Sequence, residues 1–451
     1  MKIKTILFII TILLTGCATY DSKPLPEQPL WPDNIHRLEV PVLTLSTESE
    51  SQHFIFNPND GLDVVEVAAM AVANNPNLKV ARDVAGVTKA QAFQAGLLPD
   101  PTLLIYPQLP INGGNGTSSV ASEYGVFYNI SALITHSSLA KSSKSTEQKA
   151  DLDLLWQEWL VLSQAQILFE KICTNEKILQ WLKEKESILK NIDQAQQEAL
   201  LKKDLDLSVT SINTLLYKEV SKQRLDLERT NTQDRHLLNQ MLGLAPSTEL
   251  QLVNNLTLPE LSSAKVQKQL KQVTHLRPDL LALQKGYDAQ DYRLREAILA
   301  QFPTINFGFA RLRDNGAVEY NGFDLSISLP IFNRNQGNVA IAKATRQQLF
   351  DEYQIRINSI YSEVSQLTHD TTILKQQVSL MTESMATLSG LSRSGRIAFQ
   401  NQDMDLFSYS QLRINEIDKK IELERTQQLL VEQTIQLSML IGEPLSNWVK
   451  K

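Results

Sequence analysis

Gly322-Phe323-Asp324-Leu325-Ser326-Ile327-Ser328-Leu329-Pro330-Ile331 alternates throughout: Phe323, Leu325, Ile327, Leu329 and Ile331 are apolar, and small or polar residues lie between them. Successive strand side chains point to opposite faces, so this is a strand with one apolar face. Just before it, Ile305, Phe307 and Phe309 alternate with Asn306, Gly308 and Ala310. Earlier, Tyr124, Val126, Tyr128, Ile130, Ala132 and Ile134 do the same, with Phe127 and Leu133 as exceptions, and Leu103-Leu104-Ile105-Tyr106 is a weaker fourth. Gly113-Gly114-Asn115-Gly116 reads as an exposed hairpin loop between the first two. Four strands of roughly ten residues fit the dimensions of a membrane barrel. Two amphipathic hairpins on a soluble core fit the alternation equally well.

The strands belong to a duplication. Asn75-Pro76-Asn77-Leu78 recurs as Arg277-Pro278-Asp279-Leu280, and Pro101-Thr102 recurs as Pro303-Thr304, at an offset of about two hundred residues. Asp204-Leu205-Asp206-Leu207 answers Asp403-Met404-Asp405-Leu406, and Leu242-Gly243 answers Ile441-Gly442, at an offset about three residues shorter. The units expected are a first repeat over 61–250 and a second over 260–448. The net length change falls between Thr304 and Asp403, and an inequality between the halves is expected at the helical tips, where Gly395 has no partner around 196–203.

Most of the remainder is helical. A helix starts near Leu62 and stops at Asn74-Asn75-Pro76, and a second runs from Leu78 to Gly96. No Gly or Pro occurs between Val126 and Leu242, and only Gly390 and Gly395 occur between Asn338 and Ile441. A hundred helical residues would extend roughly 150 Å, so each stretch is expected to fold as two long helices. Leu152, Leu155, Trp159, Leu162, Phe169 and Cys173 have the spacing of a coiled-coil seam.

At the start, Lys2 and Lys4 precede an apolar run, Ile6–Leu14, too short to span a bilayer but suited to a signal peptide over 1–16. It ends in Leu14-Thr15-Gly16-Cys17, which resembles a bacterial lipobox, so Cys17 is the expected lipidation site and 17–60, rich in Pro, the tether. Only Cys173 remains, and its apolar helical setting predicts a buried, inert thiol. The chain carries 44 basic against 50 acidic residues, which argues against nucleic acid as a partner.

A sheet crossing lipid must close on itself, and four strands are too few, so copies of the chain must pool their strands. Three copies give twelve strands and one axial pore. With Asn74-Asn75-Pro76-Asn77-Leu78, Gly96-Leu97-Leu98-Pro99-Asp100-Pro101, Arg277-Pro278-Asp279-Leu280 and Leu329-Pro330-Ile331-Phe332-Asn333-Arg334-Asn335-Gln336-Gly337, the duplicated pattern resembles the TolC family of outer-membrane efflux proteins over roughly 60–448. The Phe332–Gly337 segment is most similar to heavy-metal efflux components. The resemblance implies a mainly α fold with a small β part: a trimeric β-barrel in the outer membrane continued by a long α-helical barrel. It implies a homotrimer in outer-membrane lipid, docked to a periplasmic adaptor (membrane fusion protein) and an inner-membrane pump of the resistance-nodulation-division (RND) type. It implies no catalysis and no cofactor. A type I secretion conduit and a periplasmic coiled-coil lipoprotein remain alternatives.

The gate candidates are Asp204, Asp206, Asp403 and Asp405, placed where long helices turn. A trimer would gather these carboxylates around one axis, where their repulsion favours cations. Alternatively, Asp204 and Asp403 cap the returning helices. His36, His53, His136, His236, His275 and His369 have no ligand-like spacing, so no metal site is expected.

Overall fold

The computed structural model describes residues 20–32, 34–38, 44–45, 52–53, 61–111, 119–203, 207–254 and 261–442. Cys17, Asp204, Asp206 and the Gly113–Gly116 loop lie outside the described residues. Repeat one runs α1 (Val64–Asn74), α2 (Pro76–Gly96), β1 (Thr102–Gln108), β2 (Ala121–Asn129), α3 (Ser131–Leu201) and α4 (Leu207–Met241). Repeat two runs α5 (Ser263–Leu270), α6 (Val273–Leu276), α7 (Pro278–Leu299), β3 (Ile305–Arg313), β4 (Glu319–Ile327), α8 (Gln336–Gln400) and α9 (Leu406–Ile441). No helix among the described residues is long and apolar enough to cross a membrane.

Local chemistry sets the boundaries. Asp63 caps α1 by accepting from the amides of Val65 and Glu66, while Glu66 accepts from the Asp63 amide. Asn75 caps α2 with Pro76 in the first turn, where the missing N–H costs nothing. Gly243 and Gly442 follow α4 and α9 in the left-handed region, at φ 68° and 73°. A Cβ at Gly243 would lie 2.8 Å from the Asn74 carbonyl oxygen, and one at Gly442 would lie 3.0 Å from Leu276 Cβ. The same joint therefore recurs: the end of a returning helix abuts the residue before the Asn75 or Arg277 landmark.

α3, of 71 residues, and α8, of 65, run the length of the molecule. At 1.5 Å per residue they extend roughly 105 and 98 Å. On the sheet side of the joints the helices lie side by side in the order α2, α3, α7, α8; on the far side the order is α4, α3, α9, α8. One core joins α1, α3 and α4 through Val67, Met70, Phe169, Ile172, Leu238 and Leu242, and its counterpart joins α5 to α9 through Val266, Leu280, Ile360 and Ile441. The expected seam is displaced within α3: Phe169 and Cys173 are buried, whereas Leu155 is exposed.

The four strands form one antiparallel sheet in the order β1-β2-β3-β4. β2 is shorter than its alternation suggests. Ile130 still donates to the Ile305 carbonyl, but the Ser131 hydroxyl binds Pro303 and Ile305, and Ala132 and Ile134 already lie in α3. Leu329 and Ile331 likewise fall beyond β4, because Pro330 brings no ladder donor and Arg334 and Asn335 turn left-handed. The net length difference conceals larger local ones. The hairpin connection is 109–120 in the first repeat and 314–318 in the second; the strand-to-helix junction is Ile130 alone against Ser328–Asn335.

Candidate channel wall and gate

The register assigns every strand residue to a face. Leu103, Val126, Phe309 and Phe323 form one row across the sheet, and Tyr128, Phe307 and Leu325 form the next on the same side. This face is apolar and uncovered: Phe323 is 76% exposed, Leu325 62% and Phe309 49%. Phe323 packs against Phe307 and Phe309 at ring distances of 5.8 and 5.5 Å. The band ends toward the hairpins in Arg311, which pairs with Glu319. Such a surface is stable only against lipid or another apolar body.

The opposite face is built differently. Its rows are Thr102, Phe127, Gly308 and Asp324, then Leu104, Gly125, Ala310 and Gly322, then Tyr106, Glu123, Leu312 and Tyr320. Phe127, the exception in the alternation, lies flat over two glycines: a Cβ at Gly308 would come within 2.2 Å of its ring and one at Gly125 within 2.6 Å. The glycines let a large ring cover the sheet without standing out from it. Glu123 and Asp324 are the charged residues of this face, and no Lys or Arg of the strands shares it.

Among the described residues both edges are unpaired. β1 and β4 border the sheet, and the helical layer ends at the same sides, in α2 and α4 on one and α8 on the other. Apolar residues project along both helical borders: Val80, Val84 and Val87 at three- and four-residue spacing on α2, and Ile341, Ile355 and Leu380 on α8. Because the two borders are different surfaces, copies joining border to border associate head to tail, which closes into a ring or continues as a filament.

At the far ends of the helices the two turns match. Lys203 and Gln402 both adopt φ 65°, and neither turn uses a glycine there. Gly395 serves packing instead, since a Cβ on it would lie 2.7 Å from Leu412 of α9. An inequality between the repeats is found at the strand-to-helix junctions; at the tips the described residues Lys203 and Gln402 match, and 204–206 lie outside the described residues. A left-handed residue with a Cβ costs about 1 kcal/mol relative to glycine. Lys203→Gly and Gln402→Gly should each raise stability by roughly that amount in denaturant titrations, offset in part by the larger unfolded-state entropy of glycine.

The cap at this turn is Asp405, not Asp403. Asp405 accepts from the Ser408 amide at 2.9 Å and hydroxyl at 2.6 Å, and these bonds hold its carboxyl below the usual range. The chain makes its tightest turn at Gln402, so α9 begins two residues later than the Asp403 cap requires. Asp403 is exposed, its amide donating to the Ala398 carbonyl at 2.8 Å, and Phe399 stacks on Tyr409 across the turn with ring centroids 5.1 Å apart.

Two buried polar clusters escaped sequence reasoning. Arg277 is fully buried; it donates two bonds to Asp279, at 2.9 and 2.7 Å, and one to the Leu440 carbonyl at 3.0 Å. Its guanidinium lies 4.7 Å from the Trp156 ring, and Arg356 donates to Asp279 at 2.8 Å. Burial opposes ionisation of Asp279, but the two guanidiniums outweigh it and hold its carboxyl below the usual range. Nearer the tips, Glu416 accepts from Lys420 at 2.7 Å and from Arg413, which also reaches Glu184 of α3 at 2.8 Å. Burial again opposes ionisation, yet Lys420, Ser392 and Arg413 lower the Glu416 carboxyl from 4.5 to about 2. The stability from this ionisation is present above pH 4.5 and lost as pH falls toward about 2. Glu416→Gln should lower the neutral-pH unfolding midpoint and flatten its fall through that acid window.

Among the described residues no cluster of His, Cys, Asp or Glu has the geometry to hold a metal ion. His136 contacts the Gly96 carbonyl at 3.0 Å. Cys173 is buried in the first core, and burial pushes its thiol up to about 12.

No family model matches the chain. It is 26% identical over 194 residues to the cation efflux system protein CusC of Escherichia coli, a match spanning 41% of this chain and 41% of that protein. The fold aligns with a solved structure of CusC over 92% of this chain and all of that one, with a TM-score of 0.68 at 16% identity. It aligns with the CmeC outer-membrane channel of Campylobacter jejuni over 94% of this chain and 95% of that one, again with a TM-score of 0.68 at 16% identity.

Proposed function

We propose, from the TolC-like fold of this chain, that it is the outer-membrane channel of a tripartite efflux system, and that three copies close one barrel and one helical tube. The observation that carries this is the four-stranded sheet with an uncovered apolar face and two unpaired edges, continued by helices with apolar borders. A sheet in lipid cannot leave edges open, so its border strands must pair with other copies. The conduit performs no chemistry. An inner-membrane pump of the RND type supplies the energy through a periplasmic adaptor, and acyl chains on Cys17 add an anchor in the outer leaflet's partner monolayer.

Cations are the cargo this reading favours. Sequence kinship to a cation efflux protein is one support, and the sheet face bearing Glu123 and Asp324 without a cationic side chain is another. Lining a pore, these carboxylates would concentrate cations. We assign the tip gate to Asp403, since Asp405 is engaged at its own helix, and, by the duplication in sequence, to Asp204, with Asp206 the sequence counterpart of Asp405. Planar-bilayer recording tests both ideas. The purified protein should give cation-selective conductance, and Asp204→Ala with Asp403→Ala should change the selectivity or the closed fraction; unchanged behaviour removes the gate ring. Absence of conductance would favour a structural lipoprotein. A deletion strain hypersensitive to divalent metals supports metal efflux, sensitivity to lipophilic drugs alone overturns it, and loss of a secreted protein points to type I secretion.

A further inference from the structure

The two repeats differ where strand gives way to helix, and that difference lies at the border of the chain. In repeat one the β2-to-α3 junction is Ile130 alone, and it sits inside the protomer. There it is stitched to the start of β3: Ile130 donates to the Ile305 carbonyl at 2.9 Å, and the Ser131 hydroxyl bridges Pro303 and Ile305 at 3.1 and 2.7 Å. The equivalent β4-to-α8 junction, Ser328–Asn335, is tied inward at its first residue, where the Ser328 amide donates to the Thr304 carbonyl at 2.9 Å and the Ser328 hydroxyl accepts from the Thr304 amide at 2.8 Å; on the side away from β3, no described strand lies beside it. Its base is fixed, since Asn335 donates to the Ala297 carbonyl of α7 at 2.8 Å. Its crest is not covered: Leu329 is 73% exposed, Ile331 65% and Phe332 98%.

The opposite border offers a counterpart at the same level, because β1 begins and β4 ends at the helical side of the sheet. There Phe93, in the last turn of α2, is 70% exposed, and the α2-to-β1 segment exposes Leu97 at 54% and Leu98 at 41%. It is the repeat-one equivalent of the segment before β3 that receives the internal stitch. We infer that Leu329, Ile331 and Phe332 of one copy clasp Phe93, Leu97 and Leu98 of the next copy, so that the longer junction is the intermolecular version of the Ile130–Ser131 stitch. The duplication supplies the template: the internal seam shows which segments meet, and the free borders carry those same two segments with exposed apolar side chains.

The inference rests on the ring-forming reading above, and the test separates the two. The oligomeric mass of the wild-type protein in detergent comes first: a monomer overturns both. A nitroxide on Phe332→Cys is then placed in the channel reconstituted in phosphatidylcholine vesicles, with Phe323→Cys on the apolar sheet face as the lipid reference and the unsubstituted chain as the blank. A clasped residue should collide little with either molecular oxygen or a water-soluble nickel chelate. Oxygen collisions as frequent as at position 323 would mean that lipid covers the loop, and frequent nickel collisions would mean water; either result overturns the clasp while leaving the ring intact. Phe332→Asp should also reduce the fraction of oligomer surviving unheated SDS by about tenfold or more. Survival equal to wild type would count against the clasp.

Discussion

Arg277→Ala is expected to destabilise each protomer by about 3–5 kcal/mol, because it leaves a buried carboxylate without one of its two cations. The loss has several parts that act together. The bidentate pair with Asp279 disappears, the Leu440 carbonyl loses its donor, and the face of Trp156 loses a cation at 4.7 Å. Arg356 remains on Asp279, but by a single bond. Arg277→Lys should recover little, since an ammonium offers no planar fork to the two carboxylate oxygens. Asp279→Asn should cost less than Arg277→Ala, as the amide keeps an acceptor for one guanidinium. The cluster also has a pH signature. A carboxyl held low in the folded state adds stability at neutral pH that is lost as pH falls through its folded value, so Arg277→Ala should blunt the acid response. Chemical denaturation of the detergent-solubilised protein at neutral and acid pH measures both effects. A change below 1 kcal/mol in the Arg277→Ala variant would show that the joint is held by packing alone.

Phe309→Arg should cost about 2–4 kcal/mol per copy if the apolar face meets lipid, the charge lying in the middle of β3. Multiplied over a ring, this suffices to block insertion. The reference is Ser326→Arg on β4, which the register puts on the opposite face beside Asn306. That variant should insert normally and reduce cation selectivity. Membrane fractionation after expression, followed by bilayer recording, reads both. Equal insertion of the two variants would mean that the apolar face is not lipid-facing.

The helices and strands were legible in the sequence because each carries a period: two along Phe323–Ile327, and three to four along the cores of α1 and α3. Landmarks built on backbone chemistry were legible for a related reason. Pro76, Pro278, Gly243 and Gly442 each occupy a place that few other residues tolerate. Boundaries were less so. The alternation through Ile134 runs on past the sheet, since periodicity cannot register that Ser131 ties off the last rung to Pro303 and Ile305. The cap moved from Asp403 to Asp405 for a similar reason: an Asp-x-Asp offers two candidates, and the left-handed turn at Gln402 selects between them.

Duplication, alternation and the long runs without Gly or Pro determined by themselves that this chain is two copies of a helix–strand–strand–helix unit, because each is a pattern of local stereochemistry. Only the tertiary structure decided which residues meet. Arg277 meets Trp156 and Leu440, and Arg413 of α9 meets Glu184 of α3. These contacts join residues far apart in the chain, and no local period encodes them. The same holds for the inequality of the repeats. Two junctions equivalent in sequence differ because one is enclosed by its own chain and the other stands at an open border. An edge is a property of the assembled sheet, not of any strand within it.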